Sequence, residues 1–247
     1  MSSVNMTTSI IFKFKLSEAS MDFWTRIDSI IAENSLLKHP FYQAWTMGRL
    51  TQEDLRFYAG QYYHQESRFP TFLSAVHSRC PDQKTRQALL KNLVEEESGD
   101  DNHPELWLRF SEGLGARREE TAQASPEPET AACVEAFENI SRQGHWTAGL
   151  AALYAYEVQQ PQVAQTKLDG LRSFYGIEGG RATSFFEVHR ELDAWHSRSE
   201  KEILERAAAA EPSLESGIED AVRRSSRALW GLLDGVARAR GIEACAV

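Results

Sequence analysis

His189, Asp193 and His196 stand at i, i+4 and i+7 within FFEVHRELDAWHSRSE. At roughly 100° per residue an α-helix places all three on one stripe. Imidazole and carboxylate are ligands for iron, manganese or zinc. The plain alternative is a solvated helix face, because Arg190, Glu191, Arg198 and Glu200 surround them. Phe185, Phe186 and Leu192 turn the stripe inward, however, and a buried aspartate between two histidines needs a compensating charge.

Two further segments carry the same residue types. In LVEEESGDDNHPELW, Glu96 and His103 are seven apart and share a face if one helix spans both. Gly99 and Pro104 argue that the helix bends or ends there. The alternative is an acidic helix terminus built of Glu95, Glu96, Glu97, Asp100 and Asp101. In LAALYAYEVQQP, Glu157 follows Leu150, Leu153 and Tyr154 at helical spacing. A carboxylate in an apolar stripe is costly unless it is paired with a cation, either an arginine or a metal. Together the segments offer Glu96, His103, Glu157, His189, Asp193 and His196. Helical bundles that gather carboxylates and histidines from several helices form dimetal sites, and Asp193-x-x-His196 parallels their Glu-x-x-His element. Three carboxylates and three imidazoles suit two transition-metal ions and leave positions open for dioxygen.

The elements that must position these residues read as helices nearly throughout; strand patterning is almost absent after Ile11. A first helix is predicted from about Ser20 to Glu33, and a short one begins at Pro40 and stops at Gly48. Thr51 opens a capping-box-like TQED, followed by a long helix with Leu55, Tyr58, Tyr62, Phe69, Leu73 and Val76 on one face and a bend at Pro70. Helices follow at about 83–97, from near Pro104 to Gly113 or Gly115, and at about 131–142, 147–160, 161–175, 182–209 and 212–240. The polar, proline-containing ARREETAQASPEPET (116–130) reads as a surface loop, and GIEGG (176–180) as a break. Residues 1–17 read as a loose lead-in and 18–247 as a single all-α domain.

Composition narrows the setting. Of 247 residues 42% are hydrophobic and 26% charged, the balance of a soluble globular protein. With 27 basic and 36 acidic residues the formal charge is −9, which disfavours nucleic acid and anionic membranes as partners. No apolar run nears the roughly 18 residues of a membrane span, and the N-terminal stretch lacks a signal-peptide pattern. Cys80, Cys133 and Cys245 suggest neither a disulfide framework nor a zinc site, so a reducing cytoplasm is the expected location.

The stretches LLKHPFYQAWTMGRLTQEDLRFYAGQYYH, RFPTFLSAVHS, EEESGDDNHPELW, LYAYEVQQP and FFEVHRELDAWH resemble the chlamydial death-domain-associating protein family. The likeness covers about residues 20–240. It implies a haem-oxygenase-like helical bundle of seven or more helices, on the same fold as the TenA and PqqC proteins. It also implies a dimetal oxidase whose ligands match Glu96, His103, Glu157, His189, Asp193 and His196. The metals implied are iron alone or iron with manganese, with dioxygen and a reductant as co-substrates. The implied product is p-aminobenzoate for folate. Its ring would come from the protein's own tyrosine, matching Tyr42, and its nitrogen from a lysine, matching Lys167. Such a protein turns over about once. An electron donor follows from this chemistry, and the bundle type often makes a homodimer.

Spacing alone says less of these residues. Tyr42 reads as a core or pocket tyrosine and Lys167 as an exposed helix lysine. Tyr156, beside Glu157, reads equally as a redox tyrosine or a packing residue. Glu66 interrupts an apolar stripe; it could reach the metals, but an arginine partner is the expectation. Three other readings compete: a dimetal oxygenase of an external substrate, a thiaminase-like hydrolase needing a nucleophilic cysteine, and a non-enzymatic interaction protein.

Overall fold

The computed structural model describes residues 22–243. Among them are twelve α-helices, three short 3-10 turns and no strand. The helices are α1 (Phe23–Glu33), α2 (Pro40–Thr46), α3 (Gln52–Glu66), α4 (Phe69–Arg79), α5 (Gln83–Glu97), α6 (His103–Gly113), α7 (Arg118–Ala122), α8 (Pro128–Arg142), α9 (Trp146–Glu157), α10 (Gln160–Tyr175), α11 (Ser184–Ala210) and α12 (Glu215–Arg240). The all-α expectation holds. The N-terminal lead-in, Ser20 and Cys245 lie outside the described residues. No described helix is long and apolar enough to cross a membrane.

The apolar α9 sets the architecture. Every residue from Gly149 to Glu157 is buried, as expected of a helix that is hydrophobic all round. α4, α8, α11 and α12 pack around it. α10 and α11 lie against each other, and α11 also meets α5 and α6. These neighbours bring the two candidate ligand segments to the histidine stripe.

Prolines decide where the site's helices end. The predicted long helix with a bend at Pro70 is instead two helices, α3 and α4. Proline lacks an N–H, and its ring clashes with the carbonyl four residues back, which here belongs to Glu66. The next case is EVQQP, where Pro161 stands four residues after Glu157 and α9 ends at Glu157. Pro104 lies in the first turn of α6, which His103 opens. The Glu96–His103 segment is therefore a break between helices. At the other end of α3 the Thr51–Asp54 capping box forms: Asp54 N–H donates to Thr51 Oγ1 at 3.2 Å, and Thr51 N–H to Asp54 Oδ2 at 2.8 Å.

The segment 116–130 is more structured than a surface loop. It contains α7, and Gln61 on α3 pins it. The Gln61 side chain accepts from Glu127 N–H and Thr130 Oγ1, both at 2.8 Å, and donates to the Ser125 carbonyl at 2.9 Å. Buried Gln61 would otherwise lack partners, which favours this ordering.

Gly170 sets the approach of α2 to α10. A Cβ there would lie 2.3 Å from Nε1 of the fully buried Trp45. Trp45 shares α2 with Tyr42, and Gly170 shares α10 with Lys167. Gly170→Ala is therefore expected to cost about 1–3 kcal/mol through overpacking, measured by denaturant unfolding. Parental stability in that variant would mean the contact is slack.

Candidate metal centre

The residues singled out by spacing converge. Ligand atoms of Glu157, Asp193 and His196 lie within 4.8 Å of one another. Those of His103 and His189 form a second such group, whose third member is Glu66. Glu96 joins it through His103, with Oε2 2.9 Å from Nδ1. That approach is close but misaligned, and neither atom makes a hydrogen bond. All seven residues are at most 2% exposed.

Glu66 corrects the sequence reading. Its partner is Tyr156, whose hydroxyl donates to Oε2 at 3.1 Å, rather than an arginine. The signal that could have found it is the motif it shares with Glu157: a glutamate with proline four residues on, which ends the helix at the carboxylate. Glu66 and Glu157 are the last residues of their helices, and Glu96 is the next to last of α5. The negative end of a helix dipole opposes a carboxylate. Three acids so placed, in a buried site, call for positive charge.

Two of the histidines, His189 and His196, are held by one nitrogen each. His189 Nδ1–H donates to the Phe185 carbonyl at 2.7 Å, which leaves Nε2 facing the site. His196 Nε2 lies 2.6 Å from Glu95 Oε2; its Nδ1 is 3.6 Å from Asp193 Oδ1 and 3.9 Å from Glu157 Oε2, bonded to neither. An imidazole fixed from outside by a carboxylate or carbonyl is the usual posture of a metal ligand. Glu95 was foreseen only as part of an acidic terminus. Asn92 Nδ2 donates to Glu157 Oε1 at 2.9 Å.

Electrostatics agree with this geometry. Burial raises the carboxyls of Glu66, Glu157 and Asp193 well above the ordinary range, and nearby carboxylates push the same way. Burial drives His189 down, and the neighbouring His103 adds to that. For His103 burial lowers the pKa, but the carboxylates of Glu96, Glu66 and Asp193 together outweigh it and raise it to about 9. Orphaned buried atoms on Glu96, His103, Glu157, Asp193 and His196 are unusual in a folded protein. Mixed oxygen and imidazole donors fit two transition-metal ions.

Beside this centre lies an aromatic chamber. Tyr42 is 1% exposed, and its hydroxyl is 3.3 Å from that of Tyr58. Lys167 is buried, contrary to the exposed position expected from spacing. Its Nζ lies 4.9–5.7 Å from the ring centroids of Tyr42, Tyr58, Tyr62, Trp107 and Phe186. Burial lowers its pKa to about 7, with Glu66 resisting. Tyr156 links chamber and centre: its hydroxyl is 2.6 Å from that of Tyr62 and bonds Glu66. The described cysteines, Cys80 and Cys133, are buried with thiols pushed up by burial, which does not suit a nucleophile.

Residues 56–230 match the haem-oxygenase-like family model described as iron-containing redox enzyme. The chain belongs to this family. A 4-aminobenzoate synthase of Nitrosomonas europaea is 44% identical over 227 residues, covering 88% of this chain and 92% of that one. The 4-aminobenzoate synthase of Chlamydia muridarum is 38% identical over 219 residues, covering 89% and 92%. Among solved structures, a TenA homologue from Pseudomonas syringae superposes with TM-score 0.76 at 16% identity, covering 87% of this chain and 93% of that one. A CADD-like protein of unknown function from Nostoc punctiforme gives 0.72 at 16% identity, covering 90% and 97%. These two share the fold. The haem-oxygenase-like bundle expected from the sequence is the one observed.

Proposed function

We propose that this chain forms p-aminobenzoate, as the names of its relatives say of them, and that it takes the ring from Tyr42 and the nitrogen from Lys167. The observation that carries this is the Lys167 amine enclosed with the Tyr42 ring, in a chamber that Tyr156 joins to a carboxylate–histidine cluster. Glu66, Glu96, His103 and His189 would hold one metal ion, and Glu157, Asp193 and His196 a second. The pair, of iron alone or iron with manganese, would supply the redox power to use dioxygen, with an electron donor as the source of reductant.

The chain's own residues do the rest. Burial keeps the Tyr42 phenol protonated, pushing its pKa up against the Tyr58 hydrogen bond. The same burial keeps much of Lys167 neutral near pH 7, with a lone pair on Nζ. Enclosure by rings holds that nitrogen near the tyrosine and excludes bulk water. Such placement replaces a bimolecular encounter with a fixed one. Tyr156 orients Glu66 by hydrogen bonding and keeps the chamber in register with the cluster.

Ring-labelled tyrosine tests the reading. The labelled protein, supplied with metal, reductant and dioxygen, should release labelled p-aminobenzoate and lose mass at Tyr42. Tyr42→Phe should give none while binding metal normally, because only the hydroxyl is gone. Unlabelled product, or parental yield from Tyr42→Phe, would favour an external substrate instead.

A further inference from the structure

The metal-bearing stripe of α11 continues one turn past His196. Glu200 is four residues beyond His196 and seven beyond Asp193, so it projects within roughly 40° of both around the helix. It figured in the sequence only within the alternative of a charged, solvated face, and it is 2% exposed. Neither of its carboxyl oxygens has a hydrogen-bond partner. The acids that bear on it electrostatically are Glu157, which stands near enough to share a proton with it, then Asp193 and Glu96. Asn92 holds Glu157 Oε1 and leaves Glu157 Oε2 without a donor; Asn92 Oδ1 is likewise unpartnered and buried.

Buried carboxylates are tolerated when a donor or a cation answers them. The charged groups bearing on Glu200 are acids, the Tyr154 phenol lies within its field without bonding it, and the Asn92 amide donates to Glu157. A surface acid carries no such demand: Glu202, two residues on, is exposed. The unpartnered oxygens of Glu157 and Asp193 belong to the group in which His196 supplies the one imidazole, and Glu200 follows one turn further along the same stripe.

We propose that Glu200 is a further acid of the metal centre, and that its carboxylate joins Glu157, Asp193 and His196 in holding the second divalent ion. This rests on the two-ion reading of the site. It makes the second position richer in charged oxygen than the first, where His103 and His189 both contribute nitrogen. Glu200 then strengthens cation binding at the second position without touching the first.

Cobalt(II) is the probe, titrated into metal-free protein against a chromophoric chelator, with the visible absorption of the bound cobalt followed in parallel. Glu200→Gln keeps the shape and removes the charge. The second equivalent should bind roughly 10- to 100-fold more weakly, its absorption should change, and the first equivalent should bind as in the parent. Glu202→Gln should alter neither property. If Glu200→Gln does not fold, Glu200→Leu suits the same buried helical position and should show the same loss. A parent that takes two ions, with a variant that holds the second as tightly, overturns the role of Glu200 alone. A parent that takes fewer than two overturns the site reading and this inference with it.

Discussion

Lys167→Met will abolish p-aminobenzoate formation and make the protein harder to unfold. The amine is fully buried, and burial brings its pKa from 10.5 to about 7. A depression of that size corresponds to a cost on the order of 4 kcal/mol in neutral solution. The five surrounding rings offset part of it, since each ring face attracts a cation. The balance leaves the parent less stable than a variant with an apolar chain of similar length. The sign follows from linkage. The folded pKa lies below the unfolded one, so the cost is fully present below about pH 7 and fades as pH rises towards 10.5. Denaturant unfolding of the two proteins should therefore differ most in acid and converge above pH 10. Equal stability at pH 6 would mean the cation is well accommodated, and surviving product would mean nitrogen comes from elsewhere.

His189→Ala should have the larger effect on metal. Bound transition-metal ions should drop from about two per chain to one or fewer, and reductant-driven dioxygen uptake should cease. The fold should survive, because His189 stacks on Phe185 at 3.9 Å in a core held by many other rings. Each ion held at about a thousandfold excess over its Kd stabilises a protein by about 4 kcal/mol. The rise in melting temperature on adding metal should thus be roughly halved in the variant. Elemental analysis and thermal melts in parallel decide the matter; full loading by His189→Ala would remove this residue from the site. Asp193→Ala, which leaves the second position one carboxylate short, should behave alike.

The stripe of His189, Asp193 and His196 was legible because helical periodicity converts spacing directly into direction. Glu157 announced itself as a charge inside an apolar face. What spacing could not convey was which acids share a chamber once distant helices pack. Glu66 was expected to find an arginine, and Glu200 figured only in the alternative of a solvated face, because local sequence carries no information about the helix on the other side. The same holds for Lys167, polar by type and buried by context. The break between α3 and α4 was underestimated as a bend. A proline following an aromatic in a long apolar face fits either outcome, and tertiary packing chose. Tyr42 is different again: its burial is explained by α2 packing on α10, while its role came from likeness to relatives rather than from pattern.

The location of Tyr42 has a consequence for the life of each molecule. It is a large side chain with 1% exposure, wedged against Phe41 and Tyr58. On the reading that its ring leaves as product, every completed reaction opens a void at the heart of the fold. Aromatic-to-small replacements at such places cost about 3–5 kcal/mol, a large share of the stability a domain usually has. A spent chain would therefore carry its history as fragility, unfolding more readily and falling first to proteases. Unused chains would persist, so the standing population would be a reserve of doses not yet delivered.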